Sequence, residues 1–301
     1  MTFLNQIPGN LAQGLIYGIA AIGVFITFKI LDFADLTVDG SFATGGCVLA
    51  ILLTNGVPIY LCFIIAFLAG CAAGLITAIL HCYLGIPGIL SGILTQLMLY
   101  SINYKILGQA SMDVPNRGAL ISSNVDSGVY TTIPIVLGIV AAVILLLYWF
   151  FGTKFGSSIR ATGSNEDMSK ANGININSRK IVALMLSNGI VAFSGAVLAR
   201  YLGDAFVSIP GTIVITLAAI IIGTTICGKF VKNFGVTLGF VLLGSVLYYL
   251  TYALALSVIY EPIFLKMISA ILIIAFLAVP YTRNTYIKNY KAKRSRAKEI
   301  K

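Results

Sequence analysis

The chain has 301 residues, of which 58% are hydrophobic and only 10% charged, and its mean hydropathy is +0.97. A soluble domain of this size carries about a quarter charged residues, so the composition excludes one and calls for an integral membrane protein. The net charge of +10 sits in short loops and the tail, with no soluble basic surface to carry it, which excludes nucleic-acid binding.

A helix needs roughly 20 mostly apolar residues to cross the hydrocarbon core. Apolar runs, read against Pro, Gly and charge breaks, predict an all-α polytopic fold of about nine transmembrane helices: Leu11–Ile30, Ser41–Leu53, Ile59–Leu80, Ile89–Leu107, Ile133–Phe151, Ile181–Tyr201, Ile213–Cys227, Val236–Leu256 and Ile263–Val279. The first has no basic stretch or small-residue cleavage site beside it and reads as a retained span. The second and seventh are short, break into polar residues at one end, and are expected to be broken helices.

Asp32, Asp35 and Asp39 stand between the first two spans, followed by Thr37, Gly40, Ser41, Thr44, Gly45 and Gly46. A carboxylate at membrane depth costs at least ~2.5 kcal/mol and must face water, a partner or a substrate. Two readings stand: a broken helix lining a translocation path through Asp35, Thr37, Asp39 and Ser41, or a cytoplasmic loop with solvated aspartates. Asp39 with Ser41 also reads as a helix start. In the fourth span Gln96 and Asn103 are seven apart, hence on one face. They line the same cavity or bond between helices. Gly14/Gly18, Gly70/Gly74 and Gly88/Gly92 mark close helix packing.

Gly152–Lys180 is a polar island between apolar segments, so it must lie outside the bilayer. Ser164 or Asn165 caps a short helix whose first turn carries Glu166 and Asp167, and Gly173 stops it. Asp204 with Ser208, Pro210 and Gly211 then reads as a second-half counterpart of the aspartate segment, or as a short external loop. Gly223-Thr-Thr-Ile-Cys-Gly-Lys-Phe230 nearly matches a phosphate-binding loop. Phe230 has no hydroxyl for Mg²⁺, and an apolar run precedes it in place of a soluble strand.

The tail Arg283–Lys301 holds eight basic residues against Glu299. With nine spans, the tail, the island, Lys229, Lys232 and Lys29 fall on one side, which collects 16 of the 20 basic residues. The positive-inside rule makes that side cytoplasmic and puts the N-terminus outside. Residues 1–282 form the permease domain, with 152–180 as its cytoplasmic loop, and 283–301 a basic tail that attracts anionic lipid. Cysteines 47, 62, 71, 82 and 227 form no C-x-x-C pair, and His81 has no ligand partners or G-x-S-x-G motif to serve. No catalytic residue, metal or cofactor is expected.

The halves resemble each other weakly. Gly18-Ile-Ala-Ala-Ile-Gly23 is echoed by Gly189-Ile-Val-Ala-Phe-Ser-Gly195, and spans one to four answer to six to nine. An offset of five spans makes an inverted repeat, a pattern of transporters with a solute route at the repeat interface.

Thr153-x-Phe-Gly156, Ile159-Arg-Ala161, Gly163-x-Asn165-Glu166, Ala171 and Gly173-Ile174 resemble the cytoplasmic loop of ABC importer permeases of the branched-chain amino acid and ribose type. Phe33-Ala-Asp-Leu-Thr-x-Asp-Gly-Ser-Phe-Ala-x-Gly45 is similar to their first broken-helix motif, and its acidic form is closest to a branch assigned to amino acids, including aromatic ones. The resemblance covers most of Leu11–Pro280. It implies a coupling helix that docks on a separate cytoplasmic ATPase through Gly163, Ser164, Asn165, Glu166, Ala171 and Gly173. Ser157 departs from the sugar branch, where Arg is common. Further implied are a second permease copy in a homodimer, an extracellular substrate-binding lipoprotein expected to touch Lys105–Thr132, and a bacterial plasma membrane. The expected cargo is a small polar solute, an amino acid (aromatic included) before a sugar or nucleoside, on a path of Asp35, Thr37, Asp39, Ser41, Gln96, Asp204 and Ser208. The rivals are a proton-coupled secondary transporter using Asp32, Asp35 or Asp204, and a non-transporting scaffold.

Overall fold

A computed structural model describes residues 3–115, 128–227 and 233–258, with positions 267, 270, 271 and 274. Helices stand at eight of the nine expected spans: α1 (Phe3–Phe25), α2 (Val38–Thr54), α3 (Ile59–Cys82), α4 (Gly88–Leu107), α5 (Gly128–Gly152), then, after α6 (Lys154–Ser164) and α7 (Glu166–Ala171), α8 (Ile176–Leu202), α9 (Thr212–Cys227) and α10 (Phe234–Val258). Of the ninth span only positions 267, 270, 271 and 274 are described, all four as helix, and the tail lies outside the described residues.

Helices satisfy every interior backbone group within the segment, which is why an apolar chain in lipid folds this way. Among the described residues, five helices are long and apolar enough to cross a membrane. At 17 and 16 residues, α2 and α9 are shorter, as their polar ends foretold. α4 has 20 residues but carries Gln96, Ser101, Asn103 and Lys105.

α1 and α8 form the buried centre, with Ile16, Ile19, Ile22, Ala192 and Val197 fully enclosed. Three serine hydroxyls donate to α1 carbonyls: Ser194 to Ile16 O (2.7 Å), Ser187 to Gly23 O (2.8 Å) and Ser245 of α10 to Gly14 O (2.7 Å). All three small-residue pairs lie against a neighbouring segment, Gly14 and Gly18 on α10, Gly70 and Gly74 on α8, and Gly88 and Gly92 on the 33–37 segment. This close approach replaces the hydrophobic drive that helices lack in lipid. α1 also packs on α9, α8 on α2 and α3, and α9 on α10.

The expectation of helices alone missed one small feature. β1 (Ser111–Asp113) and β2 (Asp204–Phe206) pair antiparallel, with Met112 opposite Ala205. The pair ties the ends of α4 and α8 together.

Candidate functional site

The island folds as two helices. Thr153 Oγ1 accepts from Gly156 N (3.2 Å) to cap α6 and donates to Phe150 O (2.6 Å), closing the turn from α5. Ile159 is buried in the core, the Arg160 guanidinium lies 4.3 Å over the Phe234 ring, and the Arg179 guanidinium 3.8 Å over Phe155. The motif residues Thr153, Phe155, Gly156, Ile159 and Arg160 therefore fix α6 to the membrane helices.

Between the two proposed caps, the structure selects Asn165. Its Oδ1 accepts from Met168 N (2.9 Å), while Ser164 closes α6. Glu166 and Asp167 follow in the first turn, where the helix dipole favours them. Gly173, at φ +75°, donates to Lys170 O and Ile174 N to Ser169 O, the paired bonds of a glycine-terminated helix. Asn175 then caps α8 through Ser178 N (3.2 Å).

α7 projects as an exposed knob. Only Ser169 among its residues is buried, and Met168 presents an apolar tip that is 66% exposed. Met168 was missed in the sequence because an isolated methionine in a polar loop carries no pattern. Glu166 reaches back to α8, where Lys180 Nζ lies 2.6 Å from its Oε1. At the other end Gly163 lies on the π-helical turn Ile26–Ile30 that extends α1. A Cβ there would fall 2.8 Å from Leu31 Cα and onto the Ile30 carbonyl. A cavity of about 470 Å³ beside Lys29, Arg160 and Thr237 leaves space around this junction.

Beyond the π-turn, exposed Asp32 takes a left-handed conformation (φ 56°), tolerable for aspartate, and ends the helix, with Phe33 N donating back to Thr27 O (2.9 Å). Asp35 is only 3% exposed. Its Oδ1 accepts from Thr37 N (2.8 Å) and its Oδ2 from Asn188 Nδ2 (2.6 Å), while Ser41 Oγ donates to Asn188 Oδ1 (2.6 Å). Thr37, Thr77 and Thr95 continue the polar line through hydroxyl contacts of 2.7 and 3.0 Å. Asn188 was missed because a single asparagine in an apolar helix looks like any interhelical hydrogen bonder.

Asp39, in the first turn of α2, caps a different helix. Its oxygens accept from Gly211 N (3.0 Å) and Ile213 N (2.7 Å) at the start of α9. The two short helices thus begin side by side around one carboxylate, which both helix dipoles favour.

Gln96 and Ser208 meet at a cavity of about 140 Å³ beside Gly40 and Tyr100. Asn103, in contrast, donates to Val207 O (3.2 Å) in the connection between β2 and α9, so it is neither on this cavity nor bonded to another helix. Asp204 stands opposite Asp113 in the strand pair, away from this cavity's lining. Desolvation and then Asp113 raise its carboxyl above the usual range. Among the described residues no group of three His, Cys, Asp or Glu side chains is placed to hold a metal.

Comparison with known proteins adds three findings. Residues 7–277 match the family described as branched-chain amino acid transport system, permease component. The chain is 41% identical over 278 residues to the tyrosine transport system permease protein of Clostridioides difficile, covering 91% of each, and 24% identical to the ribose import permease protein of Haemophilus influenzae, covering 80% of this chain and 76% of that one. A chain in the structure of PsaBC from Streptococcus pneumoniae in complex with Fab superposes with a TM-score of 0.50 at 16% identity, covering 92% and 91%, a likeness of fold alone.

Proposed function

The chain belongs to the branched-chain amino acid transport system permease family, a multi-pass membrane subunit of an ABC transporter, and from that premise we propose that it moves a small polar solute inward on power delivered by a separate ATPase through α7. The observation that carries this reading is the knob itself. A six-residue helix cannot hold itself together in water, yet this one is capped at both ends, exposed around Met168 and joined to α8 at Glu166, while Gly163 seats the preceding α6 on the π-turn. Gly163, Ser164, Asn165, Glu166, Ala171 and Gly173 shape it, and Met168 is its contact tip. Charge asymmetry puts the knob and C-terminus in the cytoplasm and the N-terminus outside.

The solute path runs by Gln96 and Ser208, with Asp35, Thr37, Asp39 and Ser41 holding the broken helices around it, and Asp204 bracing the outer strand pair. The reading includes a second copy of the chain as its dimer partner. The packing supports the inverted repeat. Under an offset of five spans α1–α10 corresponds to α8–α3, α2–α8 to α9–α1, and α2–α3 to α9–α10, and each of these pairs packs. An extracellular binding lipoprotein delivers the solute. The tyrosine permease relative favours an amino acid with an aromatic side chain, and the ribose relative makes a sugar the runner-up.

Uptake into vesicles holding this chain with its co-expressed ATPase and binding lipoprotein tests the proposal. Tyrosine or a related amino acid should accumulate only with ATP inside and the ATPase present. Full uptake by the chain alone on a proton gradient overturns it in favour of the secondary transporter, and no uptake of any solute favours the scaffold.

A further inference from the structure

The knob joins the membrane helices at two places, and the two connections lead to one pair of side chains. Through Gly163, movement of α6 bears on Ile30 and Leu31, and so on the segment that carries Asp35. Through the Glu166–Lys180 ion pair, movement of α7 bears on α8, where Asn188 stands eight residues further along, about 12 Å at 1.5 Å per residue. Asn188 Nδ2 donates to Asp35 Oδ2 at 2.6 Å. Asn188 also accepts from Ser41, next to Gly40 on the wall of the Gln96–Ser208 cavity.

We propose that Asp35 and Asn188 are positioning residues that clamp the two arms of the coupling helix together and hold the α2 wall of the solute cavity in register with α8. The proposal rests on the reading of α7 as the ATPase coupling helix. A buried carboxylate is tolerated only when its oxygens are satisfied, and a charge-assisted bond of this length is strong and directional. A shift between the arms therefore leaves the bond made or breaks it, and a broken bond strands a buried charge. Such two-state contacts convert a small displacement into a discrete rearrangement of packed helices. Ser41 transmits the state to the cavity because its hydroxyl is held by the same amide. A merely structural cap on α2 would need only the Asp35–Thr37 contact.

The test is a residue exchange in the complete transporter, with ATPase and binding protein, reading solute moved per ATP hydrolysed together with the solute concentration giving half-maximal uptake. Asp35→Asn turns an amide N–H towards either the Thr37 N–H or the Asn188 amide. Asn188→Asp sets two carboxylates face to face. The double variant Asp35→Asn/Asn188→Asp restores the bonds among positions 35, 37, 41 and 188 and gives up only the Asn188 Nδ2 bond to Leu184 O, one turn earlier on α8. Its amide at position 35 accepts from Thr37 N and donates to the carboxylate at position 188, which still accepts from Ser41. Each single change should lower solute moved per ATP about tenfold or more, since loss of one charge-assisted bond is worth at least that factor, with half-maximal concentration little altered. The double variant should recover most of the loss. Should a single variant fail to fold, Ser41→Ala removes one donor only and should reduce the ratio by a smaller factor. Single variants or Ser41→Ala with the wild-type ratio, or a double variant no better than the worse single, overturn the clamp. Wild-type uptake that needs no ATP overturns the coupling reading, and the clamp falls with it.

Discussion

At the scale of single residues, the island's motif divides into side chains that build the knob and side chains that attach it. Asn165 builds: replacing it with alanine removes the side-chain N-cap of α7 and should cost about 1 kcal/mol, read as faster proteolysis of the loop in the purified protein. Gly163 attaches. Gly163→Ala drives a methyl onto the Ile30 carbonyl, and overpacking of this kind costs about 1–3 kcal/mol; a lowered unfolding temperature in detergent should report it. Glu166 does both. With 47% of its side chain exposed and 14% of its partner's, the Glu166–Lys180 pair contributes under about 1 kcal/mol to stability. Glu166→Lys should therefore fold, yet lose solute moved per ATP, because two like charges push α7 off α8. Adding Lys180→Glu should restore it, and equal transport by wild type, single and double variants would show that this attachment carries no force.

At the scale of elements, the start of α2 and the start of α9 are bound by Asp39. Asp39→Ala removes acceptors for two backbone N–H groups at once and should destabilise by about 1–2 kcal/mol, more than a surface cap, because those groups are then buried without partners. Thermal unfolding of the variant beside Thr37→Ala, which leaves α9 untouched, separates this effect from a general weakening of α2. The strand pair adds a pH effect. The folded Asp204 carboxyl lies above its unfolded value, so its ionisation opposes folding. That cost is absent below the unfolded carboxylate range and present in full once pH exceeds the raised folded value. Asp204→Asn should thus raise the unfolding temperature at pH 7, less so near pH 4, and leave it nearly unchanged well below that.

At the scale of the whole molecule, the proposed orientation rests on the charge asymmetry of the loops and is open to direct test. Met168→Cys, in a background with the five native cysteines replaced, should react with an impermeant thiol reagent in inverted vesicles and not in intact cells; the reverse pattern would turn the molecule over. The fold class was legible because lipid leaves a chain few choices: runs of apolar residues long enough to span must be helical, and eight spans appear where hydropathy put them. The ends of the short helices were legible too, since Asp39 and Gly211 interrupt apolar runs. The Ser111–Asp113 and Asp204–Phe206 pairing was not, because three-residue strands have no period to read and the partners lie far apart in the chain. The same distance problem hid the work of the aspartates. Asp35 reads as lining a path or solvated in a loop and Asp39 as the start of its own helix, yet one bonds Asn188, 153 positions away, and the other caps a helix 172 and more positions on. Composition, periodicity and capping residues act within a few turns of chain, and they determined the membrane helices, the polar island and the boundaries of its knob. Which carboxylate meets which amide, and which cavity they enclose, was decided only by helix packing, because a hydrogen bond depends on a few tenths of an ångström in space and leaves no mark on spacing along the chain.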